Sequence, residues 1–230
     1  ENGKTIMQPG TLKGTKAIGW FIEEYGIAQV SMNITDINTT PLHIAFDEVC
    51  RCSQNRGIRV TGTEIVGLIP EHTLLDAGKY FLRKQNRSIG IPKEDIINIA
   101  IKSMGLDDLK PFIPEEKVIE YMLDADKQTK RLTDMTLTNF ANETARESPA
   151  PGGGSVSAYI GALGAALGTM VANLSSHKPG WDDRCAEFSN HAENGMAIEQ
   201  ELLHLVDEDT EAFNKIMAAF GMPKASEEDK

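Results

Sequence analysis

Residues 156–174 run for nineteen positions without a charged side chain, directly after the stretch Pro151-Gly152-Gly153-Gly154-Ser155. A run of that length is enough to cross a bilayer. It is, however, rich in Gly, Ala and Ser, poor in the aliphatic side chains that drive insertion, and flanked by no basic cluster. Small residues at Ala158, Ala162, Ala165, Ala166, Thr169 and Ala172, with Gly161, Gly164 and Gly168, let a neighbouring helix approach closely. The stretch is therefore expected as a buried helix in a bundle or a dimer seam, in a chain without a transmembrane segment. The glycines before it are not followed by the lysine that a phosphate loop of the Walker type requires. Two readings of Gly152, Gly153, Gly154 and Ser155 stand. Backbone N–H groups at a helix start could hold an anionic or polar ligand group, or a tight turn simply needs permissive backbone.

Periodicity changes along the chain. Residues 12–25 read as a helix stopped by Gly26. The next stretch, "IAQVSMNIT", alternates, with Gln29, Ser31, Asn33 and Thr35 on one face and Val30, Met32 and Ile34 on the other. That is the pattern of a strand with one polar face, which meets either solvent or a ligand. Residues 40–57 read as a helix with Thr40 as N-cap, Pro41 in the first turn and Gly57 as terminator. Residues 58–69 read as a second strand, and Pro70 and Pro92 open helices over 70–84 and 92–104. The order describes a small α/β layer over residues 1–112, with helices on one face of a sheet. Residues 113–129, proline-marked and then charged, read as a linker. From 130 onward the segments 130–146, 155–175, 181–196 and 198–220 are all helical in pattern, so residues 130–230 are expected as an antiparallel helical bundle. The expected fold class is α+β followed by all-α.

Composition removes several functions. A net charge of -11 argues against a nucleic-acid partner, since backbone binding needs clustered Lys and Arg. Cys50, Cys52 and Cys185 form neither a paired secretory framework nor a zinc spacing, which points to reduced thiols and a cytoplasmic setting. The chain begins at Glu1 with no signal peptide following, and is expected to be a piece of a longer one.

The last helical segment carries the sharpest chemical signal. At 100° per residue, Leu202, Val206, Phe213, Ile216, Met217 and Phe220 form one apolar stripe, and Asp209 falls in its middle. A carboxylate facing a core is costly unless paired or protonated, so Asp209 is either an acid/base candidate or a hydrogen-bonded structural group. Asp207, Glu208 and Glu211 are expected as solvated charges. Glu201 and His204 form an E-x-x-H, the element from which di-metal bundles are built, but they fall on the polar side and no second copy follows. A metal-binding bundle and a non-catalytic helical interaction module stand as alternatives, and no metal is expected.

Two long segments carry a family resemblance. "LKGTKAIGWFIEEYGIAQVSMNITDINTTPLHIAFDEVC" with "VTGTEIVGLIP" resembles the C-terminal subdomain of glutamate formiminotransferases, and "SPAPGGGSVSAYIGALGAALGTMV" with "LVDEDTEAF" resembles the start of formimidoyltetrahydrofolate cyclodeaminase domains. The resemblance implies a folate enzyme of histidine degradation. Its transferase moves a formimino group from formiminoglutamate to tetrahydrofolate, and its cyclodeaminase closes the product to 5,10-methenyltetrahydrofolate with loss of ammonia. It implies Asp209 as the cyclodeaminase acid/base, tetrahydrofolate, free or polyglutamylated, as co-substrate, and a homo-oligomer. In the family, folate binds between two facing transferase sheets, which places Gln29, Ser31 and Asn33 as candidate contacts. The transferase's catalytic histidine lies in a preceding subdomain, and the cyclodeaminase domain continues past residue 230, so this chain alone is expected to lack complete active sites.

Overall fold

The computed structural model describes residues 9–125, 131–148 and 150–221 and divides into two compact units. The first comprises residues 1–85 and 93–126, the second 86–92 and 127–230. The chain is α+β in its first part and helical in its second.

The first unit opens with an antiparallel hairpin, β1 (Thr15–Ile22) and β2 (Ile27–Ile34). The helix expected over residues 12–25 is thus a strand and a turn. The segment "TKAIGWFI" is rich in β-branched and aromatic residues, and Gly26, at φ +64, serves the hairpin turn where it was read as a helix stop. Its N–H closes the turn on the Ile22 carbonyl at 2.9 Å. Three helices follow, α1 (Leu42–Gln54), α2 (Glu71–Lys84) and α3 (Lys93–Met104). Pro41 takes the N-cap position of α1, and Thr40, expected there, donates its hydroxyl to the Lys13 carbonyl.

Residues 58–68 belong to no helix and pair with no strand among the described residues; Ile69 forms an isolated parallel bridge to Val118. Among the described residues the sheet therefore has two strands, and Val66, within the segment expected as a strand, is 89% exposed. A two-stranded ribbon cannot bury a face by itself. The core lies among helices instead: Leu74, Ala77 and Phe81 of α2 pack with Ile97, Ala100, Ile101 and Met104 of α3. Apolar residues on both faces of the hairpin, Phe21 and Val30 on one and Ile18 and Trp20 on the other, stay largely exposed. Residues 113–129, expected as a linker, include two short helices, α4 (Pro114–Lys117) and α5 (Ile119–Ala125). Val118 between them is fully buried in the first unit's core, and Glu120 accepts the N-terminal amide of Glu71 at 2.7 Å, capping α2.

The second unit is built on two long helices, α7 (Gly153–Ser176) and α8 (Cys185–Phe220), preceded by the short α6 (Leu137–Thr144). The two helices expected over 181–196 and 198–220 are one continuous helix. Gly195 inside it does not break it; a Cβ there would stand 2.2 Å from Thr169 Oγ1, so the glycine admits α7. Ser155, Ala162, Thr169 and Ser176, seven residues apart, form the buried line of α7, and Ala192 and Val206 form that of α8. Contacts of Ser155 with Asp209, Gly161 with Leu202 and Thr169 with Gly195 show that the pair runs antiparallel. Small side chains on this seam bring the helix axes close. The outer face of α7, with Leu163, Leu167, Met170 and Leu174, is exposed, and by length and composition α7 is apolar enough to cross a membrane. Residues 130–146 are expected as one helix; residue 130 lies outside the described residues, and from 131 the chain forms a single turn at Leu132–Asp134 followed by α6, which Thr136 caps by accepting the Asn139 amide.

Residues 86–92 lie against α7 and α8. Asn173 Nδ2 donates to the Gly90 carbonyl at 2.6 Å, and the Ile89 amide donates to Ser189 Oγ at 3.1 Å. A Cβ on Gly90 would come within 2.2 Å of the Ala192 carbonyl carbon.

Candidate functional site

The first turn of α7 and the last third of α8 meet at a carboxylate. Gly152 caps α7 in extended conformation, so the turn opens with Gly153, Gly154 and Ser155. Asp209 Oδ2 accepts from the Ser155 amide at 2.9 Å and from Ser155 Oγ at 3.1 Å. Thr210 Oγ1 lies 3.1 Å from the same Ser155 hydroxyl. Asp209 Oδ1 has no hydrogen-bond partner among the described residues and lies on the Gly154 side of the carboxylate of an exposed residue. The amides of a helix's first turn have no intrahelical partner and lie at the positive end of the helix dipole, so a carboxylate is favoured there.

Asp209 was expected inside an apolar stripe; it is exposed. Val206 is buried against α7, but Phe213, Ile216, Met217 and Phe220 are all substantially exposed. The physical reason is length. α7 starts opposite Asp209, so the following turns of α8 have no α7 surface to pack on. Hydrogen bonds to Ser155, not an apolar enclosure, hold the carboxylate.

The approach of Asp209 depends on Gly154. A Cβ at that position would stand 2.3 Å from Oδ1 and 2.6 Å from Oδ2. Ser155 itself is 0% exposed, so its side chain reaches no ligand, and both its donors serve Asp209. Gly153 and Gly154 remain at the surface.

Asp207 was expected as a solvated charge. Its Oδ1 instead accepts from the Leu132 amide at 2.6 Å and its Oδ2 from Thr133 Oγ1 at 2.8 Å, tying the turn before α6 to α8. Neighbouring acids thus hold two chain segments, a role invisible in local periodicity because both partners are remote in sequence. Glu201 is exposed, and His204 Nε2 lies 3.9 Å from Glu208 Oε2 at the surface. Among the described residues no group of three or more metal-ligating side chains comes together.

The second candidate surface is on the hairpin. Register pairs Asn33 with Lys16, Ser31 with Ile18 and Gln29 with Trp20, and residues directly opposite share a face. Trp20 Nε1 donates to Gln29 Oε1 at 2.8 Å, which holds the indole over the polar row at 58% exposure. The amide row is therefore interleaved with an aromatic and an aliphatic side chain. Trp20 lies in the segment expected as a helix, and pairing of β1 with β2 is what brings it onto this face. Thr35, at the end of the row, donates to the Gly14 carbonyl.

A family model described as "Formiminotransferase domain" matches residues 1–124, and one described as "Formiminotransferase-cyclodeaminase" matches residues 136–230. The formimidoyltransferase-cyclodeaminase of Gallus gallus is 38% identical over 230 residues, covering 100% of this chain and 42% of its own length. The methenyltetrahydrofolate cyclohydrolase of Methylorubrum extorquens is 36% identical over 95 residues, 41% of this chain and 46% of its own. The glutamate formimidoyltransferase of Thermoplasma acidophilum is 35% identical over 74 residues, 32% of this chain and 24% of its own. The chain spans less than half the length of each of these relatives.

Proposed function

The chain belongs to the formiminotransferase-cyclodeaminase family, and from that premise we propose that it serves a cytoplasmic, folate-dependent one-carbon enzyme of histidine degradation. The transferase half moves a formimino group from formiminoglutamate to tetrahydrofolate, and the helical half closes 5-formiminotetrahydrofolate to 5,10-methenyltetrahydrofolate with release of ammonia. Tetrahydrofolate, free or polyglutamylated, is a co-substrate, and the reaction runs without a metal. The exposed outer face of α7 packs on further helices of an antiparallel bundle or on a second copy of the chain, and the protein is a homo-oligomer. In the transferase half, Gln29, Ser31 and Asn33 contact folate; their amides and hydroxyl suit its polar ring edges.

One observation carries the cyclodeaminase reading: Asp209 is anchored through one oxygen and, among the described residues, unpaired at the other. Ring closure requires the attacking nitrogen to lose a proton as it bonds to the formimino carbon. The departing nitrogen must gain protons to leave as ammonia. A carboxylate held in place with a free oxygen can take the first proton and deliver it to the second site. The exposed glycine turn at Gly153 and Gly154, the latter against Asp209, suits a polar group of the ligand.

The test is Asp209→Asn in a version extended to the length of the relatives. Ammonia release should fall by about 10²-fold or more, as expected for lost acid–base catalysis, with transferase turnover retained. Near-normal ammonia release would rule Asp209 out.

The likeness of the helical half to a cyclohydrolase favours a second reading, in which the same carboxylate activates water against the methenyl carbon. Hydrolysis of 5,10-methenyltetrahydrofolate faster than ammonia release from the formimino substrate would select it.

A further inference from the structure

The glycine-rich motif suggests that Ser155 binds ligand, yet its side chain is fully buried. We infer that Ser155 is a positioning residue that determines which oxygen of Asp209 carries the proton, an inference that rests on the reading of Asp209 as the proton-transfer group.

Both Ser155 donors converge on Oδ2, the amide at 2.9 Å and the hydroxyl at 3.1 Å. An oxygen already accepting two hydrogen bonds is the poorer place for an incoming proton, so the proton is taken and released at Oδ1. Thr210 completes the arrangement. Its hydroxyl, 3.1 Å from Ser155 Oγ, donates to that oxygen and leaves the Ser155 proton directed at Asp209. Gly154 sets the approach, because any side chain there would occupy the carboxylate's position. Three consecutive constraints therefore orient one carboxylate: a missing Cβ, a buried serine and a threonine behind it. A helix cap needing only charge at the α7 terminus would require none of the hydroxyl chain.

The experiment measures ammonia release by a version of the chain extended to the length of its relatives, with Ser155→Ala and the similarly sized Ser155→Cys, each alone and combined with Asp209→Asn. Loss of a hydrogen bond to a charged group predicts that kcat falls about 10-fold in both single variants, with KM for 5-formiminotetrahydrofolate changed by less than about twofold. In the Asp209→Asn background the Ser155 changes should add less than about twofold, because a positioning residue has nothing left to position. Wild-type kcat in Ser155→Ala beside an inactive Asp209→Asn overturns this inference alone. So does a loss confined to KM, or one that multiplies fully in the Asp209→Asn background. An active Asp209→Asn removes the underlying reading and the inference with it. If the Ser155 variants do not fold, Thr210→Val, which keeps both donors on Oδ2, should lower kcat by about threefold; an unchanged kcat there overturns the inference.

Discussion

The Oδ2 atom of Asp209 lies 2.9 Å from the backbone nitrogen of Ser155, a residue on the opposing helix and fifty-four positions earlier in the chain. That contact joins a glycine-rich turn and an acidic helix, two features with no local relation in sequence. It places the unpaired oxygen of a fixed carboxylate against Gly154, in a glycine turn whose Gly153 and Gly154 are exposed.

Gly154 should be the residue least tolerant of substitution in that turn. A Cβ 2.3 Å from Asp209 Oδ1 must displace the carboxylate. Misplacement of a reacting group by about 1 Å can cost on the order of 10²-fold, so Gly154→Ala is expected to lose about that much cyclodeaminase activity while remaining folded. Gly164→Ala on the same helix meets nothing within 4 Å and is the control. Steady-state ammonia release and circular dichroism of the two variants decide the matter; equal activity in both would contradict the displacement.

Gly90→Ala should destabilise the second unit. The new methyl would overlap the backbone of Ala192, and overpacking against backbone costs about 1–3 kcal/mol. For a chain of this size that lowers Tm by roughly 2–10 °C. Thermal denaturation followed through the near-ultraviolet signal of Trp181, which stacks on Phe188 in the same unit, reports it.

Glu199 lies on the line of α8 defined by Ala192 and Val206, with no hydrogen-bond partner among the described residues, and burial pushes its carboxyl above the ordinary range. A carboxyl whose folded-state value is raised favours the protonated form in the fold. Its contribution is present in acid and is lost as pH rises through the folded-state value. Glu199→Gln is therefore expected to raise Tm at pH 7–8 and to leave it unchanged at about pH 3, below the ordinary glutamate range. Melting curves at the two pH values, with an equal shift at both, would contradict the burial argument.

Gln29→Ala should weaken folate binding by about 5–10-fold, the scale of one lost hydrogen bond, with little change in Tm because the hairpin face is exposed. Trp20, bonded to Gln29 on the same face, is the probe. Its fluorescence should be quenched by folate in the wild type, and Trp20→Phe should abolish most of that quenching. Unaltered quenching in Trp20→Phe would move the folate site elsewhere.

What the residues determined by themselves is everything that depends on near neighbours. Alternation in Ile27–Ile34 made a strand, prolines at 41, 70 and 92 opened helices, and the small-residue stripe from Ala158 to Ala172 made a helix built for close packing. The family resemblance was legible for a related reason, since its motifs are continuous stretches. What only the tertiary structure decided depends on partners far along the chain. Residues 12–25 became a strand because a left-handed Gly26 can end a helix or turn a hairpin, and pairing with β2 selected the hairpin. Residues 58–68 alternate like a strand but join no sheet among the described residues; Thr63 donates its amide to the Gly105 carbonyl instead, and alternation alone does not supply a strand partner. Asp209 lies on an apolar stripe in the helical wheel, yet the stripe is covered only as far as α7 reaches. A wheel records angle around one helix and nothing of where its partner begins, so the exposure of Asp209 and its seat on Ser155 were settled by the packing of two helices.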